Sequence, residues 1–150
     1  MTRKQFFAVI LILFLPVILT GCFKKSVPIS QNQEGAYHYN NDYLGFSLDL
    51  PKEFEYFQTE KKQIGDTNEL SIYVPTSDMG YAQEVPGYAK PILIQVIPKK
   101  DYKEQKEIMK VGENKENIFT IQFWSRPPKD WQEKWTDSMK NKILKSIKIN

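Results

Sequence analysis

Apolar and polar positions change their rhythm twice along the chain, and each change marks a different kind of segment. Phe6 to Leu19 is an unbroken apolar run of about 14 residues with no charged or polar side chain. Phe23 to about Gly35 is polar, contains Pro28 and shows no periodicity. From Tyr37 onward, short alternations of period two take over, the pattern of strands that bury one face.

Tyr37-His38-Tyr39 alternates aromatic and polar, and Asn40-Asn41-Asp42 then signals a turn. Phe46-Ser47-Leu48-Asp49-Leu50 keeps strict period two until Pro51, which has no N–H to give a sheet ladder. Phe54 to Thr59 reads as a further strand, with Phe54 and Tyr56 on one side and Phe57 on the other. A turn region of Lys61-Lys62 and Gly65-Asp66 leads to Leu70-Ser71-Ile72-Tyr73-Val74, closed by Pro75. Thr76 to Lys90 reads as a long loop containing Gly80, Pro86 and Gly87. Ile92 to Ile97, bracketed by Pro91 and Pro98, is the most apolar run after the N-terminal one and predicts a central strand. Asp101 to Lys110 predicts a short helix, with Asp101 as cap and Glu104 three residues later as in a capping box. Asn117 to Trp124 predicts another strand. The last helix is expected to start at Pro127-Pro128 and to place Trp131, Trp135, Met139 and Ile143 on one face. Asp130, Glu133 and Asp137 come early in it and Lys140, Lys142 and Lys145 late, which suits the helix dipole. Ser146 to Ile149 alternates again and is expected to return as a strand. The class is α+β.

Arg3 and Lys4 precede the first apolar run, and Leu19-Thr20-Gly21-Cys22 closes it. A positive start, a short apolar segment and small residues before a cut make a secretory signal peptide. The run is shorter than the roughly 20 residues needed to cross a bilayer as a helix, and Pro16 weakens a straight span. Leu19, Thr20, Gly21 and Cys22 resemble, position by position, the Leu-small-Gly-Cys lipobox of bacterial lipoproteins. The resemblance implies that signal peptidase recognises Leu19, Thr20 and Gly21 and cuts before Cys22. It further implies a diacylglycerol on the Cys22 thiol, which holds the protein on the extracytoplasmic face of a cell membrane. Two acyl chains give a durable anchor where one gives only reversible binding. The expected division is a signal peptide over 1–21, a lipidated tether over 22–36 and one α+β domain over 37–150. Thirteen tether residues have a mean reach of about 20 Å, and Lys24 and Lys25 are placed either to touch anionic headgroups or to stay solvated.

Composition narrows the class further. Residues 1–21 carry Arg3 and Lys4 and no acid, so the 21 basic residues fall to 19 against 18 acids after cleavage. That balance argues against a nucleic-acid partner, which calls for a clustered excess of Lys and Arg. Cys22 is the only cysteine, so the domain holds together by packing without disulfides.

Tyr39-Asn40, Gly45-Phe46-Ser47-Leu48, Leu50-Pro51 and Phe54 resemble the opening of PsbP-like domains, with Phe54 where many relatives carry Trp. Ile143-Leu144-Lys145-Ser146-Ile147-Lys148 resembles their closing helix and its return to the sheet. The resemblance covers about thirty residues at the two ends of the domain. It implies an antiparallel β-sheet flanked by helices and a non-catalytic accessory or binding role.

Candidate chemistry is sparse. With Cys22 committed to the anchor, no Cys–His pair is left, and the single histidine, His38, follows no nucleophile-elbow motif. One histidine and no free thiol leave no zinc set, and no calcium loop or phosphate-cradling glycine loop is legible. No catalytic residue, metal or cofactor is therefore expected. Tyr81 and Tyr88, on the long loop, are the candidate contacts for a ligand or partner, the alternative being tyrosines packed over a sheet edge. Trp131 and Trp135 are expected to face the core. The function expected is a membrane-anchored accessory module that binds a protein partner at the cell surface. The alternative is a small-ligand-binding lipoprotein with the 76–90 loop as a lid. A concave pocket beside Tyr81 or Tyr88 favours the ligand, a flat apolar patch the protein partner.

Overall fold

The computed structural model describes residues 29–31 and 35–150. In chain order the strands are β1 (Ile29–Gln31), β2 (Tyr37–Asn41), β3 (Phe46–Leu50), β4 (Gln58–Ile64), β5 (Thr67–Pro75), β6 (Tyr88–Pro98), β7 (Met109–Glu113), β8 (Asn117–Phe123) and β9 (Lys148–Ile149). They form two antiparallel sheets, β1-β2-β3-β9 and β4-β5-β6-β8-β7, with one helix, α1 (Asp137–Ser146). The α+β class holds. Among the described residues there are two antiparallel sheets and a single α-helix.

The period-two runs set which face of the larger sheet is dry. Leu70, Ile94 and Ile121 are cross-strand neighbours, as are Ile72, Ile92 and Phe123. All but the half-buried Phe123 are buried, and all point into one core with Tyr39, Phe46, Leu48 and Leu50 from the smaller sheet. Phe46 meets Phe119 edge-on at 6.3 Å across the two layers. The other face carries the row Ser71, Leu93, Gln122, one residue out of phase with the core row. β4 is an edge strand exposed along its whole length. Its charged Glu60, Lys61 and Lys62 suit an edge that must not pair with other chains.

Several sequence expectations shift here. Lys61 and Lys62 lie within β4, and the turn is confined to Gly65-Asp66, where Gly65 takes φ +58°. Phe54 belongs to a 3-10 turn, Lys52–Phe54, and Tyr56 adopts φ +61° before β4 begins at Gln58. Phe54 and Tyr56 therefore part company: Phe54 is buried against Trp131 at 5.6 Å, and Tyr56 is exposed. β2 continues through Asn41, because the buried Asn41 amide donates to the Tyr39 hydroxyl (3.0 Å) while its carbonyl oxygen accepts from Leu44 N–H (3.0 Å). Asp101 to Lys110 forms no helix; 101–108 is turn and loop, and Met109 and Lys110 open β7. No apolar residue lies between Tyr102 and Ile108, so the i+3 and i+4 positions that would continue an apolar stripe are polar.

The C-terminal helix starts later than its apolar spacing predicts. Pro128 opens a 3-10 turn, Lys129–Trp131, and α1 begins only at Asp137. Thr136 is the reason: its extended backbone and its Oγ1, accepting from Met139 N–H at 3.2 Å, make it an N-cap. Trp131, Trp135, Met139 and Ile143 are nevertheless all buried, as their stripe predicts. Ser146 Oγ accepts from Asp49 N–H at 2.9 Å and fixes the end of α1 to β3, and β9 pairs with Phe46 and Ser47.

Ile29–Gln31, which the sequence places in the tether, pairs with β2. Ile29 lies opposite Tyr39 and Gln31 opposite Tyr37, so β1 runs away from the Asp42–Gly45 turn. Ile29 therefore lies nearer that turn than Gln31 does.

Candidate functional site

Residues 76–87 form a loop that is held at both ends. Thr76 N–H donates to the Gly87 carbonyl at 2.9 Å, and Gly87 N–H donates to Gln83 Oε1 at 2.8 Å. The first residues are also tied to the 3-10 turn before α1. Asp130 accepts from the Thr76 hydroxyl (2.7 Å) and from Ser77 N–H (2.9 Å), and Asp78 accepts from Lys129 N–H (3.0 Å). Partial burial would raise the Asp130 pKa, but the donors from Ser77 and Thr76 outweigh it and hold the carboxyl below its ordinary value. Trp131 completes the attachment, its indole N–H donating to the Pro75 carbonyl at 2.9 Å.

This pinned loop forms one wall of a recess of about 290 Å³ on the outer face of the larger sheet. Tyr81, Ala82 and Glu84 come from the loop, Tyr73 from β5, Ala89, Lys90 and Leu93 from β6, and Gln122 and Phe123 from β8, with Trp124 and Ser125 just beyond it. Tyr81 and Trp124 meet at 6.4 Å with their planes 68° apart, which makes an aromatic corner. Trp124 in turn packs edge-on against Trp131 (5.7 Å) and Trp135 (5.2 Å), so the corner is backed by the core. The indole N–H groups of Trp124 and Trp135 are buried there without an acceptor.

The recess is charged but balanced. Lys90 Nζ donates to both oxygens of Glu84, at 2.6 and 2.8 Å. The Tyr73 hydroxyl lies 3.2 Å from Glu84 and 3.1 Å from Glu60, which pairs with Lys62 at 3.2 Å. Two carboxylates and two ammonium groups are thus joined through one phenol. The Lys90 hydrogen bonds hold the Glu84 pKa below its usual range, and Lys62 does the same for Glu60. Burial, with the two carboxylates beside it, pushes Tyr73 up to about 12, so its hydroxyl keeps its proton at neutral pH.

The structure separates the two tyrosines that the loop suggested. Tyr81 lines the recess. Tyr88 is the first residue of β6, accepts from Gln58 Nε2 at 2.9 Å, and lies outside it. His38 is tied to Asp49 at 2.7 Å on the smaller sheet. Cys22 and the Leu19, Thr20 and Gly21 before it lie outside the described residues. Among the described residues no cluster of three His, Cys, Asp or Glu could hold a metal, and no helix is long and apolar enough to cross a membrane. A wider recess of about 490 Å³, lined by Asp49, Lys52, Glu53, Lys142, Lys145 and small neighbours, has no aromatic wall.

Tyr73, Glu84, Lys90, Gln122, Phe123 and Trp124 were not legible as a group. They come from four segments, and beyond the consecutive Gln122-Phe123-Trp124 only the six-residue step from Glu84 to Lys90 is local. No protein-family model, curated protein or solved structure matches the chain.

Proposed function

We propose that the chain is a lipoprotein anchored through a diacylglycerol on Cys22 to the extracytoplasmic face of a cell membrane, with a non-catalytic binding module of PsbP-like architecture. The Leu19-Thr20-Gly21-Cys22 run behind an apolar segment supports the anchor. The observation that carries the binding role is the placement of the Tyr81–Trp124 recess relative to the point of entry. Tyr37 packs on Phe57 (6.0 Å) and Lys61 lies over Tyr43 (4.8 Å), so the two sheets run with their ends in step. The recess sits where β6 begins and β8 finishes, and β1 has its first residue, Ile29, on the side nearer the Asp42–Gly45 turn, toward the opposite end. Six residues, Phe23 to Pro28, separate Cys22 from Ile29 and span at most about 22 Å. An anchored domain thus keeps its entry end near lipid and turns its recess outward.

A concave recess bordered by Tyr81 favours a small ligand over a protein partner. The exposed large apolar side chains Tyr43, Tyr56, Ile64, Met79 and Met109 come from five separate segments. An accessory role with a protein partner at the cell surface is the second reading, supported by the resemblance of the domain's two ends to PsbP-like proteins. A catalytic role finds no support in the recess, where Glu84 is engaged by Lys90 and Tyr73 stays protonated.

The test is Cys22→Ser in cells making the full chain. Release from the membrane fraction, or accumulation of uncut precursor, is the expected outcome. Normal processing with unchanged membrane association would rule out lipidation at this position.

A further inference from the structure

We infer that the recess between the 76–87 loop and the outer face of the larger sheet binds a neutral saccharide, one ring face against Tyr81 and Trp124, hydroxyls on Glu84, Lys90 and Gln122. This rests on the recess being the binding site of the module and gives that site a ligand class.

Charge decides first. Lys90 already occupies the position a ligand cation would take, bidentate on Glu84, so an ammonium ligand must displace it. An anion approaching Lys90 meets Glu84 at once and Glu60 behind the Tyr73 hydroxyl. A neutral ligand breaks neither ion pair. Polarity decides next. The carboxylate of Glu84 retains lone pairs and the ammonium of Lys90 a further proton beyond those used between them, and Gln122 adds both a donor and an acceptor. Closely spaced donors and acceptors match vicinal hydroxyls, each of which gives and takes one hydrogen bond. The protonated Tyr73 keeps Glu84 and Glu60 in place at neutral pH.

The aromatic corner supplies the remaining contact. A pyranose has one face of C–H groups that packs on aromatic rings, and the half-buried Tyr81 and Trp124 both border the recess. A volume of about 290 Å³ falls at the lower limit, roughly 300 Å³, of small-molecule sites, which suits a single ring or the end of a chain.

The test uses the full chain in detergent micelles. Glucose, galactose, N-acetylglucosamine, its β-1,4-linked trimer and maltotriose are titrated by calorimetry, with choline and inorganic phosphate as charged probes. Saturation-transfer NMR reads which ligand protons lie against aromatic rings. Expected is saturable binding of at least one neutral sugar with transfer to its ring C–H protons. Affinity should fall at least tenfold in both Tyr81→Ala and Gln122→Ala, with thermal unfolding unchanged, and stay within a few-fold in Tyr81→Phe. Sugar binding indifferent to both alanine variants would overturn the proposal. Choline or phosphate binding that Tyr81→Ala abolishes, with no sugar bound, overturns the saccharide but leaves the recess as a site. No binding by any probe, with the domain folded, overturns the saccharide proposal and removes the support for a small-ligand site.

Discussion

At Gly112 a methyl group would meet Ile149 Cδ1 at 2.5 Å, so the end of β9 packs directly on the backbone of β7. The ladder between β7 and β8 slips a register there, between Lys110 and Gly112, which brings the backbone close enough for that contact. Gly112→Ala should push Ile149 aside and cost about 1–2 kcal/mol, and the cost should largely vanish in an Ile149→Ala background. Denaturant unfolding of the four species in a double-mutant cycle checks it. Asp130 makes the second residue-scale case. Its carboxylate accepts from Thr76 and Ser77, and Asp130→Asn should cost about 1–2 kcal/mol near neutral pH. Because its folded pKa lies below the unfolded value, this stabilisation is present above about pH 4 and is lost as pH falls through the folded value. Urea unfolding of wild type and variant at about pH 6 and about pH 3 should show the gap closing at the lower pH.

Among the elements, the C-terminal segment is short in helix and heavy in contact. α1 has 10 residues, yet the stretch from Trp131 supplies Trp131, Trp135, Met139 and Ile143 to the core. Removing such side chains costs about 2–5 kcal/mol each, against a total stability of about 5–15 kcal/mol for a domain of this kind. Truncation before Trp131 should therefore abolish cooperative thermal unfolding, and a truncated chain with a sharp transition would contradict this placement of the core. Thr136→Ala is the mild counterpart, expected to cost about 1 kcal/mol through the lost cap.

For the whole molecule, the three tryptophans serve as a built-in reporter of orientation. Trp131 and Trp135 lie 5.7 and 5.2 Å from Trp124, at the recess end of the larger sheet. The first residue of β1, Ile29, lies toward the other end, and the proposed anchor precedes it in the chain. Lipids carrying a spin label at the headgroup should therefore quench the tryptophan emission of the vesicle-bound protein only weakly. Strong quenching would mean that the recess faces the bilayer and would sink the outward arrangement.

What local chemistry dictates was readable residue by residue. Phe46–Leu50 and Leu70–Val74 alternate, and Ile92–Ile97 and Asn117–Trp124 carry strand-forming apolar runs, so β3, β5, β6 and β8 stand on those runs, with β5 and β6 reaching beyond them and β8 ending at Phe123. The stripe from Trp131 to Ile143 likewise names its buried face. The resemblance of Leu19-Thr20-Gly21-Cys22 to a lipobox is a purely sequential signal and needs no fold to be read. Tertiary structure decided the remainder, because the groups involved are far apart in the chain. Phe54 leaves its expected strand to reach Trp131, and Ile29–Gln31 leaves the tether because β2 offers it an open edge. The recess exists only once Tyr73, Glu84, Lys90 and Trp124 are brought together by strand pairing and a pinned loop. Periodicity records which side of an element is dry, whereas a site depends on which elements meet, and packing alone settles that.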